Sequence, residues 1–144
     1  SLKVLLPGEV ATAPVEAARR DDALGWAQAE EMGAGRRMFL RVAERWSLSD
    51  QQVAAVLGLA AMEELAHFRE DAMPLSIDLL LRISCVMCIY QALSDLYPDP
   101  ECADAWIWTP LSVPMFGGAA PVRLMASGRL SDLRLVRQYV EAQL

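Results

Sequence analysis

The sequence predicts an all-α protein. No stretch alternates apolar and polar residues long enough to form a strand, apolar residues recur at helical spacing in several segments, and serine, proline and glycine stand where helices would start and stop. With 144 residues, 54% of them hydrophobic, the chain can bury a core as one ordinary domain or as two small ones sharing a core.

Residues 1–14 hold Pro7-Gly8 and Pro14 among small residues and read as a tail. Helix formers run from Val15 to Met32, and Gly33 and Gly35 are expected to end that helix. From Arg36 to Trp46, apolar residues at Met38, Phe39, Val42, Ala43 and Trp46 follow helical spacing. Ser49 and Gln52 have the spacing of a capping box, opening a helix from Asp50 to Leu57 with Val53, Ala54, Val56 and Leu57 inward. Gly58 breaks it, and a second helix runs from Ala60 to Arg69, so the pair is a helix-turn-helix candidate.

Pro74 and Ser76 open the next helix, which lasts to about Tyr97, where Pro98 and Pro100 stop it. It is apolar nearly all the way round, so it should be buried on most sides, partly against a second copy of the chain. Glu101 to Trp108 forms a short helix, followed by a compact loop with Pro110, Pro114, Gly117 and Gly118. Pro121 to Ser127 forms another, ended by Gly128; Ser131 is expected to cap a last helix carrying Leu133, Val136, Tyr139 and Val140.

Net charge is −6, from 19 acidic and 13 basic residues, so the chain repels polyanions on average and nucleic-acid binding would require a local basic patch. The one such cluster in the first half is Arg36, Arg37, Arg41 and Arg45. The helix-turn-helix segment sets Asp50, Glu63, Glu64, Glu70 and Asp71 against Arg69 alone, so autonomous DNA binding should be weak or absent. Three cysteines, an odd number, argue against a disulfide framework. The opening residues hold too short an apolar run for a signal peptide, and Asp78, Arg82 and Asp95 would be costly in lipid. A cytoplasmic protein without membrane contact is expected.

No constellation suggests catalysis. His67 is the only histidine; its i, i+3 pairing with Glu64 lacks the second copy that a di-iron site needs. Cys85 and Cys88 form a C-x-x-C inside an apolar helix, where structural cysteines are the simpler reading, and Cys102 alone does not complete a zinc site. No phosphate-binding glycine pattern is present. The chain is therefore expected to be neither an enzyme nor a carrier of a metal or cofactor.

The composition is most unusual near the C-terminus, where Trp106, Trp108, Met115 and Phe116 sit among prolines and glycines. Stiffened aromatics make good interface anchors, and equally good plugs for a small core. Trp46-Ser-Leu-Ser-Asp-Gln-Gln, Leu57-Gly58, Arg82-Ile-Ser, Ile89-Tyr-Gln-Ala-Leu and Ala105-Trp-Ile-Trp-Thr-Pro, in this order, resemble the Xre/MbcA/ParS antitoxin family. So do Phe116-Gly-Gly-Ala-Ala-Pro121, Met125-Ala-Ser-Gly128 and Val136-Arg-Gln-Tyr-Val, which are similar to that family's toxin-binding domain.

The resemblance covers residues 36–144. It implies an Xre-like helix-turn-helix and dimerisation domain over 36–98 and a small helical toxin-binding domain over 99–144, with 1–35 outside. It further implies an antitoxin that forms a homodimer and silences a RES-domain toxin, one that consumes NAD or uses it for ADP-ribosylation, by covering the NAD site. The alternative is a transcriptional regulator acting on its own operon. The toxin-binding positions that the resemblance implies are Trp106, Pro110, Phe116, Gly117, Gly118, Pro121, Gly128 and the last helix; the local aromatic and basic composition adds Trp108, Arg123, Arg129 and Arg137, with Leu144 at the end of the chain.

Overall fold

The computed structural model describes residues 33–144. Among these residues every regular element is helical: α1 (33–45), α2 (Asp50–Leu57), α3 (Met62–Arg69), α4 (Ile77–Leu96), α5 (Pro100–Ala105), a 3-10 turn (Trp106–Trp108), α6 (Pro121–Met125) and α7 (Leu130–Glu141). The expected helix from Val15 to Met32 lies outside the described residues. Gly33 and Gly35 do not end a helix; both are helical, in α1. A Cβ built on Gly35 would lie 3.9 Å from Ile83 Cγ2, so this turn of α1 packs on α4, and packing outweighs glycine's modest helix penalty of about 1 kcal/mol. Along α1, Phe39, Val42 and Ala43 turn inward and Trp46 is buried just beyond its end, whereas Met38 is exposed.

The local signals around α2 are met as expected. Ser49 Oγ accepts the Gln52 N–H at 3.1 Å while Gln52 Oε1 accepts the Ser49 N–H at 2.9 Å, which satisfies two donors that a helix start leaves unpaired. Gly58 ends α2 with a left-handed φ of 69°. α3 starts at Met62, two residues later than expected, because Glu64 Oε1 accepts the N–H groups of Ala60 (2.8 Å) and Ala61 (3.2 Å) and holds them ahead of the first turn. Ser76 caps α4 by accepting the Leu79 N–H at 3.1 Å. Ser131 does not cap α7; Arg129 holds that place, and Ser131 lies within the first turn.

Two buried guanidiniums tie the helices together. Arg36, 4% exposed, pairs with Asp71, donates to the Met73 carbonyl at 3.0 Å and lies over the Phe68 ring. Arg82 donates from Nε to Asp78 at 2.7 Å and from a terminal nitrogen to the Val56 carbonyl at 3.2 Å, so α4 supplies a donor to the C-terminal turn of α2. Its guanidinium leaves no room beside Gly58, where a Cβ would lie 2.5 Å from Cζ.

Helix α4 is the spine. Ile83, Val86, Ile89 and Leu93 are buried along it, and among the helices from α2 onward α7 makes the most extensive contact, against α4. Residues 35–144 form one compact unit, so the segments 36–98 and 99–144 share a core. Ile89 and Leu93 face that core, whereas Ile77 (77% exposed) and Leu81 are the large apolar side chains α4 leaves outside. By length and composition α4 could cross a membrane, but it is the helix on which the others pack.

Gly58→Ala should lower stability by about 2–4 kcal/mol, combining the left-handed strain of a residue with a Cβ and the displacement of Arg82. Urea unfolding followed by circular dichroism reads this directly. A loss below about 0.5 kcal/mol, the size of an ordinary surface change, would mean that the Gly58–Arg82 contact constrains nothing.

Candidate functional site

The C-terminal part builds a small module around three aromatic rings. Asp99 accepts the Glu101 N–H at 3.0 Å and Pro100 occupies the first turn, so α5 starts immediately after α4 ends. The tight 3-10 turn that follows sends its three side chains in different directions. Ile107 is fully buried, Trp106 stacks on Tyr139 of α7 with ring centres 6.2 Å apart, and Trp108 turns toward the α1–α2 connection. There its Nε1 donates to the Trp46 carbonyl at 2.8 Å.

Phe116 completes the aromatic group, edge-on to Trp106 at 6.2 Å and to Tyr139 at 5.3 Å, in the geometry that aromatic pairs favour. At 6% exposure it is an internal ring. The loop that carries it is closed by two backbone hydrogen bonds, Leu111 N–H to Ala119 at 3.2 Å and Gly118 N–H to Leu111 at 3.0 Å. Closing it requires φ of 56° at Gly117 and 85° at Gly118, which glycine adopts without strain. Pro121 opens α6 and is buried; Gly128, at φ 92°, turns the chain into α7.

The start of α7 carries a buried charge. Asp132, on the first turn, accepts from Arg129 Nε at 3.1 Å. The Ser127 hydroxyl, helped by the Arg129 guanidinium, holds its carboxyl below the usual carboxylate range against the opposing effect of burial. Ser127 Oγ also accepts the Arg129 N–H at 3.1 Å, so the turn between α6 and α7 is pinned from two sides.

The expected binding positions do not all share one face. Phe116, Gly117, Arg123 and Arg129, with Ser127 and Leu124, line an open cleft of about 300 Å³ between the glycine turn and α6. Trp106 supports Phe116 from below. Trp108 is committed to Trp46, Pro110 is exposed, and Leu144 is exposed at the chain end. Arg137 lies beside the Cys85 and Cys88 thiols of α4 and pairs with Glu141, away from the cleft. Ser127, Leu124 and Asp132 were not singled out as site residues in the sequence, although Ser127 lies within Met125-Ala-Ser-Gly128 and Arg129 and Asp132 have i, i+3 spacing.

The arginines of α1 do not form one exposed basic cluster. Arg36 is buried; Arg37, Arg41 and Arg45 are exposed, but Arg45 is paired at 2.8 Å with Asp104 of α5. Among the described residues no group of histidines, cysteines and carboxylates is arranged to hold a metal. Cys85 is buried, Cys88 half-buried and Cys102 exposed, all three as free thiols.

Because Asp132 titrates below its usual value of about 3.9, it stabilises the fold at neutral pH, and that contribution is lost as pH falls through the lower folded value. Asp132→Asn should therefore be less stable than the unaltered chain at pH 7, with the difference shrinking as the pH is lowered beneath the ordinary carboxylate range. Urea midpoints at pH 7 and in acid measure it; a deficit of equal size in acid would show that charge is not its origin.

The sequence matches no family model. It is 34% identical over 105 residues to uncharacterized protein y4oB of Sinorhizobium fredii, an alignment spanning 73% of this chain and 80% of that protein. Similarity of that degree over most of both chains shows common descent, and the chain belongs to the same family as y4oB.

Proposed function

We propose that this chain is an antitoxin of the Xre/MbcA/ParS type, which binds a RES-domain toxin through residues 99–144 and covers its NAD site. The observation that carries the reading is the build of the C-terminal module. The motif residues Trp106, Phe116, Gly117, Gly118, Pro121 and Gly128 fold into one aromatic-centred, glycine-turned unit. Its outer side carries Arg123, Arg129 and Arg134 in a chain that is acidic overall. A stiff surface of this kind loses little entropy on docking, and occlusion requires no catalytic group. α7 adds exposed apolar contacts at Leu135 and, beyond its end, Leu144.

The helix pair α2–α3 favours a second reading, an Xre-like helix-turn-helix that regulates its own operon. Against it, α3 opens with Glu63 and Glu64, and Glu64 is spent on capping the helix start rather than facing outward for a base. Arg36 and Arg45 are engaged within the chain. Few phosphates could be neutralised, so repression would rely on the toxin complex.

Because 99–144 shares its core with α4, point changes on the outer face of α7 test the reading better than truncation. The double variant Leu135→Asp, Leu144→Asp should bind the RES-domain toxin that this reading expects as its partner at least tenfold more weakly and fail to protect NAD in cells expressing it, with unchanged thermal unfolding. Full protection by this variant would remove α7 from the inhibitory surface. No complex with the unaltered chain would remove the antitoxin reading altogether.

We also propose a homodimer, with Ile77 and Leu81 of α4 at its interface. Light scattering at micromolar concentration should give twice the chain mass, and Ile77→Asp should halve it without unfolding the protein. A monomeric mass for the unaltered chain would exclude the dimer.

A further inference from the structure

We infer that the cleft between the Gly117–Gly118 turn and Arg129 receives a single acidic side chain, aspartate or glutamate, projecting from the partner protein. This rests on the reading above that a protein docks on residues 99–144, and it names the chemistry by which that partner is recognised. The cleft has an apolar floor at Phe116 and two guanidiniums at its rim, Arg123 and Arg129. Among the described residues no carboxylate pairs with Arg123. Arg129 gives only its Nε to Asp132, and with its side chain 75% exposed its terminal nitrogens are open to solvent. Even with Asp132 ionised, the cleft keeps a net positive charge.

A planar guanidinium edge matches a carboxylate with two parallel hydrogen bonds, a geometry that lysine would not fix. The site is also set in advance. Asp132 and Ser127 hold Arg129 and its turn, and the hydrogen bonds between Leu111 and residues 118 and 119 hold the opposite wall. Docking therefore orders few groups that are not already ordered.

The open shape of the cleft suits a protruding side chain rather than an enclosed small molecule. The −6 charge of the chain disfavours an extended polyanion, while a single carboxylate feels chiefly the two nearby arginines. The comparably sized cleft between α1 and α2, lined by Leu40, Arg41, Glu44 and Arg69, offers no such selectivity. There Glu44 faces the arginines, and Arg69 is already paired with Asp50 at 2.7 Å.

The test is titration calorimetry of the full chain with the RES-domain toxin expected as its partner. Arg123→Glu should weaken binding 30-fold or more and Arg123→Gln by about three- to tenfold, both with unchanged thermal unfolding, since Arg123 is exposed and holds nothing in the fold. Arginine introduced in turn at each exposed acidic position of the toxin should restore binding to Arg123→Glu at one position and weaken binding to the unaltered chain. Binding by Arg123→Glu within twofold of the unaltered chain would overturn the cleft while leaving the antitoxin reading in place, as would a failure of every charge swap to restore it. Absence of any complex with the unaltered chain would overturn both.

Discussion

The packing of α7 across α4 is the interaction on which the rest of residues 33–144 depends. α4 is apolar around most of its circumference, and a helix of that kind is stable in water only when enclosed from several directions. α1, α2, α5 and α7 supply the enclosure, and α7 contacts α4 more extensively than α2 or α5 does. The C-terminal module is thus placed by the same burial that completes the core, and its aromatic group, its glycine turn and its cleft are fixed relative to α4. Arg36 and Arg82 add direction to an otherwise non-directional core, because each joins two elements by hydrogen bonds that sliding would break.

Features encoded within a few residues were legible in the sequence. The capping box of Ser49 and Gln52, the break at Gly58, the cap at Ser76 and the opening of α6 at Pro121 each follow from backbone donors that a nearby side chain or a fixed φ can satisfy. Features set by distant partners were not. Gly35 reads as a helix end until Ile83 is beside it. Arg36 and Arg45 read as a basic surface until Asp71 and Asp104 meet them from 35 and 59 positions away. Trp108 stays exposed, but its indole N–H is held by a carbonyl 62 positions earlier, a partner the sequence does not reveal. The candidate site was legible in its composition and its turns, but the cleft exists only because α6 and the start of α7 bring Arg123, Ser127 and Arg129 together.

Within the C-terminal module the aromatic and charged residues divide the work. Trp106, Phe116 and Tyr139 face one another and set the shape of the support, while Arg123 and Arg129 stand on it facing outward. A surface made this way can change its charged groups without losing its form. Related proteins could thus keep the same fold while altering which partner they hold.

The contact between Gly58 and Arg82 bears on how such a sequence can drift. A side chain at position 58 would push the Arg82 guanidinium aside, and with it the donor to the Val56 carbonyl and the cation beside Asp78. Even then the left-handed backbone admits little besides glycine or asparagine. A change at either position therefore acts on the same contact. A glycine facing an arginine 24 positions downstream is a signature by which distant descendants of this fold could be traced after their surfaces have diverged.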